Sequence, residues 1–457
     1  MENKTEKHKV FAPLPLREGL GESLQGLLGV GLLLLFLFSC SKDEVKLSVD
    51  QDQVTWDADV RLYKLQVKCD GKWYAQSDVN WCAPIKKSGQ DDGELPIWVS
   101  PNLTSEPRKG RITLASGGKT LIVNVSQPAF TGSLDDYEYH LPVVFHILYK
   151  EENDETQNVK VGHMEKILTE VNKLYAENGM NVVFELARYN SDGELLEEPG
   201  VVRHQIDFDD YAPEDFLASK NTDNRQYGKF AQNIKRYINV YVFRFTKDSD
   251  DNTTMGISNL PVMPTAHPLD SLMVTDVVND FTTTANPWGC LINNTYIYEW
   301  QDDQTYNPTY IVDTMAHELG HYLGLLHAFS VDECKMDDAC EDTHICDYMS
   351  YADYIRAYIK EQVAQGVHTF RMADLARRID CQTLEEYVAH NIMDYQYCLN
   401  DEFTPQQRQR TREVLLYSPL VPGPKLIDYK QRTRSNDLPR VAPIHIQPCP
   451  AVLKSYR

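Results

Sequence analysis

His317-Glu318-Leu319-Gly320-His321-Tyr322-Leu323-Gly324-Leu325-Leu326-His327 is the stretch around which the remaining sequence is arranged. Residues four apart on a helix lie roughly 40° apart around its axis, so His317 and His321 share a face. Ile311, Met315, Leu319, Tyr322, Leu323 and Leu326 form the core-facing stripe of the same helix. Glu318 is one residue round from His317, within reach of a water held by the histidines but outside the ligand set. Gly324 tolerates positive φ, so the chain can turn there and bring His327 back as a third ligand. Three imidazoles with an open fourth position describe a catalytic zinc site and not a closed structural one. The alternative is an ordinary buried helix, but five fixed positions recur by chance in a chain this long only on the order of a few times in ten thousand.

At 457 residues the chain has room for two or three domains. Its formal charge of -22 argues against nucleic acid or an anionic membrane surface as a partner. Ten cysteines are present, and Cys334, Cys340, Cys346, Cys381 and Cys398 crowd the region after the histidines. Outside the cytoplasm such a crowd reads as disulfides, and inside it as free thiols or a second metal site. Cys69 and Cys82 lie earlier in the chain.

Leu27 to Phe38 is apolar but too short for a comfortable membrane span. Leu37-Phe38-Ser39-Cys40 resembles a bacterial lipoprotein cleavage box, which implies export, lipid on Cys40 and anchoring at the outer membrane or cell surface. Ser41-Lys42-Asp43-Glu44 resembles the acidic tag of Bacteroidetes surface lipoproteins. Residues 1–40 are therefore expected to be a signal peptide.

From 45 to 129 short alternating runs such as Tyr63-Lys64-Leu65-Gln66-Val67 and Leu121-Ile122-Val123-Asn124-Val125 are separated by Asp70-Gly71, Asp92-Gly93 and Gly117-Gly118 turns. That texture predicts a small β-sandwich. With Trp56, Trp73, Trp81 and the closing Val125-Ser126-Gln127-Pro128, it resembles the BACON domain, whose members are thought to bind host glycans or mucin, or to act as spacers. Exposed tryptophans would stack on sugars, whereas buried ones would fill the core; the core and spacer reading is favoured.

Beyond a polar link at 130–138 the period changes. Leu141 to Leu148 reads as a buried strand, with His146 as a satisfied core histidine. His163 to Glu177 reads as an amphipathic helix with Ile167, Val171 and Leu174 inward, stopped at Asn178-Gly179. Asn181 to Leu186 and Ile238 to Phe243 read as further strands. The acidic loop Asp248 to Asn252 is a solvated loop before it is a calcium site.

Asn391-Ile392-Met393-Asp394-Tyr395 follows downstream. Together with His317 to His327 it resembles the signature of the metzincin zinc peptidases, in which Met393 would form the floor beneath the metal without ligating it. Among them the pappalysin branch is most similar, over about 280 residues from Tyr139 to Pro419. The resemblance implies that Tyr395 sits near the zinc, and that Asp338 and Thr343, in Asp337-Asp338-Ala339-Cys340-Glu341-Asp342-Thr343, are candidate ligands of a structural calcium. Ile345 to Ala389 is an insert of partly helical texture. Thr404, Pro405 and Gln407 predict the capped start of a final helix.

The expected architecture is therefore multidomain: an N-terminal all-β, Ig-like sandwich (45–129), then an α/β (α+β) metzincin zinc-peptidase domain (135–420), then a tail (421–457). The expected chemistry is zinc-dependent hydrolysis of peptide bonds in extracellular proteins, with Glu318 as general base and Tyr395 aiding the oxyanion. The competing reading is a glycan-binding surface lipoprotein whose metzincin scaffold is idle. Glu318 argues against it, since a scaffold has no use for that carboxylate.

Overall fold

The computed structural model describes residues 45–218, 225–247, 254–276, 287–301, 307, 309–335, 338–367, 370–395, 397–426 and 446–450. The expected signal peptide with Cys40, the acidic loop from Asp248, and most of the expected tail lie outside the described residues. Among the described residues no helix is long and apolar enough to cross a membrane.

Nine strands make up the first, β-rich part: β1 (Leu47–Val49), β2 (Gln53–Thr55), β3 (Leu62–Cys69), β4 (Lys72–Ser77), β5 (Cys82–Pro84), β6 (Ser88–Gln90), β7 (Gly93–Val99), β8 (Arg108–Ser116) and β9 (Lys119–Gln127). They form two sheets, ordered β1-β3-β7-β5 and β2-β9-β8-β4-β6. Alternate residues of both sheets, among them Leu65, Val67, Ile97, Ile112, Leu114 and Val123, enter one shared core. Trp56 and Trp73 belong to that core. Trp81 packs edge-on against Trp56, with the Arg108 guanidinium 4.4 Å from its ring centroid.

The second part is built on one sheet. β10 (Tyr139–Tyr149) pairs in parallel with β11 (Val182–Leu186), β12 (Val201–Gln205) and β13 (Ile238–Phe243). Beyond β13, β15 (Cys290–Asn293) is parallel, β14 (Thr254–Asn259) is antiparallel to β15, and β16 (Ile446–Pro450) is antiparallel to β14 at the far edge. Every residue of β13 is buried, as a central parallel strand covered on both faces requires.

One face carries helices α1 (His163–Glu177) and α2 (Ile311–Tyr322). α1 has the bounds its periodicity predicts and stops at Asn178, with Gly179 at φ +60°. Its inward set is Met164, Ile167, Leu168, Val171 and Tyr175. Leu174 is only partly buried, and Tyr175 takes its place, donating a hydrogen bond from its hydroxyl to Ala316 O at 3.0 Å. That bond ties α1 to α2. The predicted stripe of α2 is buried, but so is its histidine face, and only Asp313 is not fully covered. The other face of the sheet packs Phe216, Leu217 and Tyr227 against Tyr241, Phe243, Ile257 and Leu291. α3 (Tyr348–Ala364) lies in the insert after the histidines, and α4 (Pro405–Tyr417) closes the domain.

His146 is fully buried and satisfied on both nitrogens. Gln232 fixes the Asn239 amide, its N–H donating to Oδ1 and its carbonyl accepting from Nδ2. His146 Nε2–H must therefore donate to Asn239 Oδ1 at 2.9 Å, which leaves Nδ1 to accept from His204 Nε2 at 3.0 Å. Burial pushes His146 down to about 4, and burial with the neighbouring His146 pushes His204 to about 3. Both folded values lie below the unfolded 6.5, so the unfolded chain binds more protons below that pH and stability falls as pH drops from 6.5 toward 4. For His146 alone the loss at pH 4 is on the order of 3 kcal/mol. Urea unfolding of the wild type and His146→Gln between pH 7 and 4 measures it, and the variant is expected to show a shallower decline.

The cysteine crowd divides in the structure. Cys334 and Cys381 form a disulfide that closes the insert, whereas Cys340, Cys346 and Cys398 are buried and lie outside that disulfide. Cys346 packs with Phe329 and Tyr395, and the Cys398 thiol donates to Asn391 O at 3.2 Å. Cys69 and Cys82 are buried and free.

Candidate functional site

α2 ends at Tyr322, and Gly324 follows with φ of +94°. Its N–H donates to His321 O at 2.9 Å and the Leu325 N–H to Gly320 O at 3.0 Å, so the helix closes on a left-handed residue. A side chain on Gly324 would also meet Val414 Cγ2 at 2.6 Å. The turn returns His327 to the helix face. One ligating atom from each of His317, His321 and His327 lies within 4.8 Å of the others, and among the described residues no other such cluster of three occurs.

The hydrogen bonds determine which nitrogens face inward. His317 Nδ1 lies 2.8 Å from Ile392 O, and His321 Nδ1 lies 2.8 Å from Leu325 O. A carbonyl only accepts, so both Nδ1 atoms carry the proton and both Nε2 atoms present lone pairs. Burial holds His317 down to about 4, and burial with neighbouring imidazoles holds His321 and His327 well below the usual histidine value. All three are neutral, the form that ligates. His321 Nε2 and His327 Nε2 sit 3.0 Å apart, and His317 Nε2 is buried with no hydrogen-bond partner. Two inward lone pairs with a third imidazole nitrogen beside them make a donor set that suits a cation. Ligand nitrogens around tetrahedral zinc lie about 3.3 Å apart for bonds of about 2.05 Å, so the spacing fits.

Glu318 is fully buried, and neither carboxylate oxygen has a hydrogen-bond partner among the described residues. Burial raises its pKa well above the ordinary carboxylate value. Its side chain is pressed against β14, where an added Cβ on Gly256 would lie 2.5 Å from Glu318 Cγ and 2.6 Å from Oε1. Gly256 was not singled out from the sequence, although a glycine inside a strand does signal a close approach.

Met393 lies beneath the helix, its Sδ 2.6 Å from where a Gly320 side chain would begin. The backbone around it does more than form a floor. Ile392 O accepts from His317, and Met393 O accepts the Ala328 N–H at 3.0 Å, so this turn holds the first ligand and the chain beside the third. Asn391 joins the turn to α4: its Nδ2 donates to Gln407 Oε1 at 2.9 Å, and its Oδ1 accepts from Gln407 Nε2 and the Met393 N–H. Gln407 is also the far member of the predicted capping box with Thr404. Nothing in the local sequence announces that link.

The Tyr395 ring packs edge-on to His327 with centroids 4.6 Å apart, 6.0 Å from His317 and against Phe329. Asp338 and Thr343 come together. Asp338 Oδ1 accepts from the Cys340 N–H and from the Thr343 hydroxyl, the latter at 2.8 Å.

Residues 71–128 match a family model described as BACON, a putative binding domain, and residues 221–416 match one described as pregnancy-associated plasma protein-A, a peptidase family. The second match spans all three histidines, Glu318, Met393 and Tyr395. A curated relative, uncharacterized protein R722 of Acanthamoeba polyphaga mimivirus, is 23% identical over 167 residues, which is 36% of this chain and 15% of that protein. This chain therefore matches only a small part of that relative's length. Similar solved structures include a Bacteroides ovatus xyloglucanase with a bound heptasaccharide (TM-score 0.19, 14% identity, 45% of this chain and 56% of that one). Another is a Bacteroides thetaiotaomicron protein solved by NMR (TM-score 0.16, 17% identity, 20% of this chain and 92% of that one). Likenesses at these TM-scores bear on neither fold nor activity.

Proposed function

The chain is a pappalysin-family metallopeptidase with an N-terminal BACON domain, and we propose that it is a zinc endopeptidase of the metzincin type acting on extracellular proteins. The observation that carries this is the convergence of three neutral imidazoles, with the Nε2 lone pairs of His317 and His321 turned inward, beside a buried carboxylate with no partner among the described residues. His317, His321 and His327 would hold the zinc, which when bound supplies Lewis acidity toward a carbonyl and makes water a stronger acid. Glu318 receives the proton of the attacking water and passes it to the departing amine. Tyr395, whose ring packs against His327, would donate its hydroxyl hydrogen toward the developing oxyanion.

Purified protein is expected to hold one zinc per chain by elemental analysis and to cleave an unfolded protein. Chelation should abolish cleavage and added zinc restore it. Protein without stoichiometric metal, or cleavage indifferent to chelation, would overturn the proposal. Gly256→Ala is a finer test. The added methyl displaces the Glu318 carboxyl, and a misplacement of about 1 Å costs turnover on the order of 100-fold. Zinc content should stay at one per chain while turnover falls.

The same proposal places the chain at the bacterial surface through lipid on Cys40, supported by the Leu27 to Phe38 run and the Leu37-Phe38-Ser39-Cys40 box. The β-rich part, read as an Ig-like sandwich, serves as a spacer. Trp56 and Trp73 are buried and Trp81 is packed between Trp56 and Arg108, an arrangement that favours the core role over sugar stacking.

A further inference from the structure

β14 is the strand that touches the general base, and its two sides are taken by different partners. β15 pairs with it on one side, and on the other lies β16, which also packs against α2. The register sets Cys449 opposite Gly256, Pro448 opposite Ile257, Gln447 opposite Ser258 and Asn259 opposite Ile446. Gly256 is the residue that abuts Glu318, so the backbone of Cys449 passes one strand spacing, about 4.8 Å, from the point where β14 meets the carboxylate. An extended backbone therefore already runs antiparallel along the edge beside the reacting groups.

The composition of β16 suits one-sided pairing. Pro448 and Pro450 have no N–H to donate, while Gln447 and Cys449, two apart, turn theirs the same way. A strand with proline at alternate positions pairs along one side and ends the sheet on the other. Without β16, that edge of β14 would be a row of backbone donors and acceptors open to an extended polypeptide by strand addition.

We propose that residues 446–450 are a resident occupant of this edge of β14, a tethered segment of the chain that competes with extended protein substrates for the strip beside Glu318. The proposal rests on the endopeptidase reading of the site. A tethered segment acts at an effective concentration on the order of 1 mM, so a segment whose own affinity for the edge is about 100 µM weakens substrate binding roughly tenfold while it is in place.

The test uses a fluorescein-labelled peptide spanning Ile446 to Arg457, with binding read by anisotropy. It is added to the full chain and to a chain ending at His445, both carrying Glu318→Gln so that nothing is cut. The shortened chain should bind at least ten times more tightly than the full chain. Equal binding by the two, or none by the shortened one, would overturn the proposal. Gln447→Pro in the full chain, which removes a pairing N–H while keeping every other residue, should also raise peptide binding about tenfold, and no change there would count equally against it. With Glu318 intact, KM for an unfolded protein should fall about tenfold on shortening. A shortened chain that binds the peptide but cleaves nothing would refute the endopeptidase reading and leave the docking edge standing.

Discussion

Glu318→Gln is expected to lower turnover of an unfolded protein substrate about 1,000-fold, within the range a positioned general base supplies, without loss of the bound metal. The argument is geometric. The carboxylate is not among the three groups that converge on one point, so an amide leaves the ligand set intact. It is fully buried with no partner among the described residues, so an isosteric amide removes no bond that holds the fold. An amide neither takes up nor releases a proton at neutral pH, and proton transfer is the only duty assigned to this side chain. Zinc content by elemental analysis, Tm and kcat together decide the matter. Unchanged kcat would remove Glu318 from the chemistry. Parallel loss of zinc would show that the carboxylate helps to hold the metal.

The readings that worked from sequence were those in which neighbouring residues settle the outcome. The α1 bounds follow from an apolar period ended by Asn178-Gly179, and the start of α4 follows from Thr404, Pro405 and Gln407. The glycine bend at 324 was legible because only a left-handed residue could return His327 to His317 and His321. What was not legible depends on partners far apart in the chain. The Gly256 approach to Glu318 spans 62 positions (318 − 256), and the Asn391–Gln407 pairing that steadies the methionine turn spans 16. Periodicity records which face of an element is buried, but not what it is buried against. The cysteines show the same limit. Five sit close in sequence, yet a disulfide needs Cα atoms about 4.4–6.8 Å apart, and Cys334–Cys381 at 5.7 Å is the pair observed.

Arg378→Leu is expected to destabilise the domain by about 3–5 kcal/mol, the cost of leaving one member of a buried ion pair uncompensated. Arg378 comes from the insert, on a short strand pair, Arg377–Ile379 with Glu386–Val388. Its side chain is 0% exposed and Asp394's is 3%, with Nε and Oδ2 3.5 Å apart. The guanidinium also lies 3.4 Å from the centroid of Tyr351, which α3 supplies. Asp394 stands between Met393 and Tyr395, and its Oδ1 accepts the Tyr395 N–H at 2.7 Å. Burial pushes the Asp394 carboxyl up and Arg378 opposes that shift. With the guanidinium gone, the carboxyl takes up a proton or draws in water, and either response disturbs the turn that holds His317 and Tyr395. A double-mutant cycle by urea unfolding separates this from loss of packing. Asp394→Asn in the Arg378→Leu background should cost far less than it does alone, giving a coupling above about 1 kcal/mol. Strictly additive losses would mean that the insert merely covers the turn. A coupled loss, with turnover falling while the protein remains folded at low temperature, would make the insert part of what holds the catalytic geometry.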